Sequence, residues 1–249
     1  MRDINDYSNK YQNEPFEDTL VKIRKKMVIA QCNKYKHGNI LEIGCGLSPF
    51  FLDFKDYNKM VIVDPSYSFI ENAKKIAFSS NSKVDFINGF FENEIETINK
   101  KKIHYDFIIL SSVLHEIDNP HNMLSAIKKI CSDETVVHIN VPNAYSLHRL
   151  IAYEIGIIDD IHDRSSQMKK MQRQRTYDLT LLKNEVEAAG FNIIDSGSYF
   201  IKPFTHEQMQ KNLDYGIINS DVIKGLNKAI KYLPEFGAEI YLNVTIHNT

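Results

Sequence analysis

The sequence predicts an α/β fold: a doubly wound, mostly parallel seven-stranded sheet with an antiparallel edge strand and helical insertions. Three observations carry that prediction. Short apolar runs alternate with stretches of helical spacing from residue 39 onward. One run, "YDFIILSS" at 105–112, is apolar through its middle, as a strand covered on both faces must be. A bare turn, Gly44-Cys45-Gly46, follows the run "NILEI" at 39–43, and Asp64 closes the next run, "KMVIVD" at 59–64.

Each element follows from its own pattern. Leu20, Ile23, Met27 and Ala30 recur at helical spacing within 16–36. His37-Gly38-Asn39 is expected to stop that helix, with Gly38 as its C-terminal cap. Residues 1–38 are therefore expected to form a helical cap ahead of a domain over 39–249. After the first two strands, residues 66–78 read as a helix capped by Ser66. "KVDFIN" at 83–88 is the third strand and 105–112 the fourth. Pro120 opens a helix running to about Cys131, since the first turn is where proline fits. "TVVHINV" at 135–141 is the fifth strand. Residues 178–189 form a helix closed by Gly190, followed by strands at 191–200 and 238–246 that are expected to pair antiparallel at an edge. Segments near 143–177 and 203–236 break the alternation. They are expected to be insertions over the substrate side, because loops beyond the strand C-termini carry the site in such folds.

Composition narrows the function. Of 249 residues, 43% are apolar, enough for a core. The net charge of −2 offers no basic face for a general nucleic-acid binder, and the short basic runs at 22–26 and 99–105 read as solvated faces. Three irregularly spaced cysteines, Cys32, Cys45 and Cys131, suit neither a disulfide framework nor a zinc site, and no other cluster has metal-ligand spacing. A reducing cytoplasm is the expected setting. The N-terminus has no apolar core of a signal peptide, and no run of about 18 apolar residues spans a membrane.

The glycine turn lets a ligand approach the backbone and permits positive φ. Asp64, with Pro65 behind it, is placed to accept both ribose hydroxyls of an adenosine. Glu42 sits inside the first strand, where an acid is costly unless paired; it either orients the loop backbone or binds a cationic group. In "INGFFEN" at 87–93, Phe90 or Phe91 is a candidate to cover an adenine face beside Gly89, with core packing the alternative for either ring.

With these motifs in order, the chain resembles the class I S-adenosylmethionine-dependent methyltransferases. "LEIGCGLS" resembles that family's first motif, "VIVDPS" its second-strand acid, "YDFIILSSVLHEIDNP" its fourth-strand motif and "VVHINVPN" its fifth strand. Ser48 stands where the third glycine usually is. The resemblance implies a Rossmann-like methyltransferase fold and S-adenosyl-L-methionine as cofactor. It implies that Gly44, Cys45 and Gly46 line the methionine moiety and that Asp64 binds the ribose. Gly89 to Phe91 would frame the adenine, Ser111 and Ser112 flank the sulfonium, and the N-terminal helix close over the cofactor through Tyr11 or Arg24. The stretch from "VPNAYSLHRLIAYEIGIID" through "RTYDLTLLKNEVEAAGF" to "GSYFIKPF" resembles bacterial methyltransferases of surface-carbohydrate synthesis. That implies a small acceptor, a sugar, a sugar nucleotide or an acid.

Methyl transfer mainly requires alignment of nucleophile and methyl, and a hydroxyl acceptor also benefits from a base. His115, just beyond the fourth strand, and His148, after the fifth, are the candidates, each against a purely structural alternative. Arg149 could pair with a substrate anion, and Arg173, Arg175 and Tyr177 could clamp a carboxylate or phosphate, against a plain polar loop. His138, inside a strand, reads as a satisfied core residue. Two other readings compete. A nicotinamide-dependent sugar oxidoreductase would share the glycine turn and the acid, but the chain has no Tyr-x-x-x-Lys pair. A non-catalytic cofactor-binding partner would bind the cofactor and methylate nothing. Nucleic-acid methylation is disfavoured, since no Asn/Asp-Pro-Pro-aromatic motif follows the fourth strand.

Overall fold

Alternate residues of each central strand point to opposite faces, and in this chain both faces are apolar. In the computed structural model, Ile40, Met60, Ile62, Phe107 and Ile109 pack on one side of the sheet. Leu41, Ile43, Val61, Val63, Ile108 and Leu110 pack on the other. The structure describes residues 3–4, 6–7, 14–80, 82–164, 168 and 172–246.

The seven strands are β1 (Asn39–Ile43), β2 (Lys59–Asp64), β3 (Val84–Asn88), β4 (Phe107–Ser111), β5 (Val136–Pro142), β6 (Asn192–Tyr199) and β7 (Glu239–Thr245). They lie in the order β3-β2-β1-β4-β5-β7-β6. Pairings from β3 to β5 are parallel. β7 runs antiparallel between β5 and the outermost strand β6. Chain order reverses at β1, which pairs with β2 on one side and β4 on the other. The crevice beyond the C-terminal ends of β1 and β4 is therefore where this topology offers a site.

The helices cover both faces: α1 (Glu17–Cys32), α2 (Tyr67–Ser80), α3 (Ile95–Lys100), α4 (Pro120–Lys128), α5 (Leu147–Glu154), α6 (Leu179–Ala188), α7 (His206–Asp214) and α8 (Ser220–Lys228). Val28 and Cys32 of α1 join Phe69, Ile70 and Ala73 of α2 on one face, while Met123, Leu124 and Ile127 of α4 join Leu182 and Val186 of α6 on the other. A third cluster fastens the start of α1 to the far end of the sheet. Phe16, Leu20 and Ile23 pack with Phe200, Met209 and Tyr241 there. Burial of side chains this large contributes about 1.5–3 kcal/mol each before the entropy of ordering is subtracted.

Two expectations change. The first helix ends at Cys32 and not near residue 36, so Gly38 is not its cap. Instead the Gly38 carbonyl accepts the N–H groups of Asn58 and Lys59, and a side chain there would meet Asn58 at 2.8 Å. The short helix α3 was not expected and overlaps the basic run at 99–105 only at Asn99 and Lys100. The segments 143–177 and 203–236 carry α5 and α7–α8 respectively.

Candidate active site

β1 ends at Ile43, and the chain must turn at once to clear β4. Gly44 makes that turn at φ +79°, with its N–H on the Val63 carbonyl at 2.8 Å. A Cβ on Gly44 would lie 2.5 Å from Val113 Cγ2, so only glycine fits. Gly46 follows at φ +54°.

Asp64 holds this bend in place. Its Oδ2 accepts the Cys45 N–H at 2.8 Å and the Gly46 N–H at 3.4 Å, and its Oδ1 accepts the Ser66 N–H at 2.8 Å. Burial pushes its pKa up, and these backbone donors oppose the push. Glu42 braces the other side of the loop by accepting the Phe50 N–H at 3.1 Å. Its second oxygen, Oε1, is buried without a hydrogen-bond partner among the described residues. Burial moves its pKa up to about 8, against the Phe50 N–H and Lys25.

Beyond this bend lies a cavity of about 410 Å³. Gly44, Cys45 and Gly46 line it, as do Asp64, Pro65, Phe90, Phe91, Ser111, Ser112 and His115. Phe90 is substantially exposed, whereas Phe91 is buried in the core beneath it. Ser112 sits at φ +59°, a strained conformation for a residue with a side chain, and its N–H donates to the Asn140 carbonyl at 2.9 Å. His115 occupies a short 3-10 turn over Leu114–Glu116 and is 2% exposed. Its Nε2 lies 3.8 Å from Glu116 Oε1, which also accepts the Tyr7 hydroxyl at 3.0 Å.

Helix α1 forms one wall through Glu17, Val21, Arg24 and Lys25. Lys25 is tied to the loop by bonds to the Pro49 carbonyl at 2.8 Å and Asp53 Oδ2 at 2.6 Å. Arg24 is held by Glu239 and Glu17. Tyr11 lies outside the described residues.

Several expected site residues stand elsewhere. Glu42 does not line the cavity, because its carboxyl turns to the Phe50 N–H. Gly89 lies just behind Phe90, where its N–H donates to the Asp64 carbonyl and a side chain would strike Glu94. His148 is drawn to the β6 side, its N–H on the Lys202 carbonyl, and burial together with Lys202 drives its pKa well down. Arg149 braces the following loop by donating to the Ile161 and Asp163 carbonyls. Arg175 pairs with Glu185 at 3.3 Å, and the Tyr177 hydroxyl donates to the same carboxylate at 3.4 Å. Both therefore face α6 and a separate surface depression. Of the three clamp candidates only Arg173 reaches the cavity. Tyr7, Glu17 and Glu116 were not visible in sequence as site residues, since neither a motif nor a spacing marks them. His138 is half satisfied: Nδ1 lies 2.7 Å from Asn243 Oδ1, Nε2 has no partner among the described residues, and burial lowers its pKa to about 4.

The donor set discriminates between ligands. A pyrophosphate needs free backbone N–H groups at such a turn. Here those of Cys45 and Gly46 already serve the Asp64 carboxylate. Four more acids, Glu17, Glu92, Glu116 and Asp118, line the cavity. They suit hydroxyl donors and a cation better than phosphates. Among the described residues no cluster of three His, Cys, Asp or Glu is placed for a metal, and no helix is long and apolar enough to cross a membrane.

A family model described as a methyltransferase domain matches residues 17–196. The chain is 33% identical over 137 residues to a protein of Dictyostelium discoideum described as probable polyketide synthase 10. That match takes 49% of this chain but spans only 5% of the relative's length. Solved structures share the fold. A S-adenosylmethionine-dependent methyltransferase from Clostridium acetobutylicum is 12% identical with a TM-score of 0.57, over 96% of this chain and 99% of that one. A plantazolicin methyltransferase, crystallised with a triazolic desmethylPZN analog and SAH, is 16% identical with a TM-score of 0.58, over 93% of this chain and 88% of that one. The 4+2 cyclase SpnF, at 13% identity and a TM-score of 0.55 over 89% and 78%, has the same architecture, so the fold by itself does not fix a reaction.

Proposed function

The chain belongs to the methyltransferase-domain family, and from that premise we propose that this S-adenosylmethionine-dependent methyltransferase O-methylates a small acceptor, a sugar, sugar nucleotide or acid of surface-carbohydrate synthesis. The observation that carries the cofactor side is the engagement of the Cys45 and Gly46 N–H groups by Asp64. It turns the glycine bend into a seat for a nucleoside without phosphates. The acceptor side rests on the sequence resemblance over 141–204.

S-adenosylmethionine supplies a methyl group already activated on a sulfonium. The chain's task is to bind, align and deprotonate. The Gly44–Gly46 bend holds the methionine end, and Asp64 offers the ribose the lone pairs its backbone donors leave. Phe90 covers the adenine from the exposed side, with Phe91 beneath it. Ser111 and Ser112 flank the reacting end. His115 is the base: with Nε2–H turned toward Glu116, Nδ1 takes the proton of an acceptor hydroxyl. Tyr7 holds the Glu116 carboxylate beside the ring. His148, outside the cavity, does not take that proton.

Two experiments test this. Calorimetry should find binding of S-adenosylhomocysteine and none of NADH; the reverse result refutes the cofactor reading. A mass-spectrometric screen should find a one-methyl gain on at least one acid or sugar nucleotide. A polyketide acid belongs in the panel too, given the relative described as a polyketide synthase. His115→Ala should slow turnover by about 10²–10⁴-fold, and His148→Ala should affect it far less. Binding with no methylation across the panel would favour a non-catalytic partner.

A further inference from the structure

Arg173, in the wall of the cavity, neighbours a cluster of basic side chains that the methyl-transfer reading does not use. Lys202, just past β6, is 2% exposed, and its ammonium makes no hydrogen bond or ion pair among the described residues. The Lys202 carbonyl receives the His148 N–H at 3.1 Å, which sets α5 beside it. Four nitrogens on neighbouring side chains, His148 Nδ1, Arg149 Nε, Arg173 Nε and His206 Nδ1, are buried with no acceptor among the described residues. Arg173 and Arg149 act electrostatically on Lys202, opposed by Glu17 and Glu239, and Lys202 acts on His148 and His206.

The nearby acids Glu17 and Glu239 act on Lys202 from a distance, but their oxygens are bonded elsewhere. Glu239 is taken by Arg24, the Tyr199 hydroxyl and Asn140. Glu17 also bonds Arg24. Asp163 acts on Arg149. The residues outside the described set include no Asp or Glu. An unpaired buried cation is costly, and several together are retained where an anion completes them.

We propose that Arg173 and Lys202, supported by His206, His148 and Arg149, form an anion subsite that receives the carboxylate or phosphate of the methyl acceptor. This rests on the reading of the adjoining cavity as a methyl-transfer site. Arg173 bridges the two, since its side chain lines the cavity. Its guanidinium matches a carboxylate or phosphate in bidentate fashion. Burial brings the Lys202 pKa down to about 7, as expected for an ammonium without its counter-ion.

Calorimetry and thermal melts at constant ionic strength test the subsite. The probes are inorganic pyrophosphate, UDP-glucose and glucuronate, applied to the full chain and to its Lys202→Met and Arg173→Gln variants. At least one probe should bind the wild type, and either variant should weaken it by about tenfold or more. Binding of pyrophosphate and UDP-glucose assigns the subsite to phosphate; binding of glucuronate assigns it to carboxylate. Lys202→Met should melt higher than wild type without anion, because it removes an unpaired buried charge. The subsite is refuted if no probe binds the wild type, or if both variants bind the probes as well as wild type does. Its fate is separable from the methyl-transfer reading, which fails if S-adenosylhomocysteine does not bind the wild type, whatever the anions do.

Discussion

Glu42 shows how one side chain can serve the site without touching it. Its carboxyl ties β1 to the turn at Phe50, and burial favours the protonated form. The folded pKa of about 8 lies above the ordinary carboxylate value of 4.5. The folded state therefore holds a proton that the unfolded chain has released, and stability falls as pH rises from about 4.5 to about 8. Glu42→Gln keeps the acceptor for the Phe50 N–H and abolishes that titration. Urea unfolding should show the variant gaining on wild type across that window, by a few kcal/mol at its alkaline end, in order of magnitude. The same position marks what sequence could and could not say. An acid inside an apolar strand announced a special role, but loop-bracing and ligand-binding remained equal readings until the Phe50 N–H was seen on it. Asp64 was legible as a site residue from its place after β2. Its grip on the Cys45 and Gly46 N–H groups was not, because backbone orientation in a turn leaves no mark on side-chain pattern.

At the scale of elements, a buried fork adds to the apolar packing that holds α1 on the sheet. Arg24 Nε reaches both Glu239 oxygens, at 2.9 and 3.1 Å, and Nη1 reaches Glu17 at 3.2 Å. Glu239 lies on β7 and also accepts from Asn140 of β5. Arg24→Ala would strand a buried carboxylate, so equilibrium unfolding should show a loss of about 3–5 kcal/mol. Arg24→Met combined with Glu239→Gln should recover much of it. Elements of this kind were readable in proportion to their length and burial. The strands declared themselves because apolar runs bounded by turns leave few alternatives. The helix α3, six residues long, is too short for a periodic signal. The clamp over 173–177 was divided by the fold: Arg173 lines the cavity, while Arg175 and Tyr177 meet Glu185 on α6. Spacing along an irregular loop does not encode which way its side chains turn.

For the whole molecule, one cavity couples α1, the ends of β1, β2 and β4, and the segment around Arg173. A ligand that fills it binds only the folded chain. At about 100 times its dissociation constant, S-adenosylhomocysteine should add about 2.7 kcal/mol to stability, and thermal melts should rise by several degrees. NADH should leave the melt unchanged. The three thiols give this closure a chemical clock. Burial drives the Cys32 and Cys45 pKa values well up and raises that of Cys131 to about 12, so little thiolate exists in the folded chain at neutral pH. Alkylation of the buried Cys32 and Cys45 must then wait for the chain to open. Because Cys45 sits in the bend against the cavity while Cys131 does not, cofactor should delay modification of Cys45 more than that of Cys131. A sulfur atom held silent by its surroundings thereby becomes a natural stopwatch for the loop that encloses it.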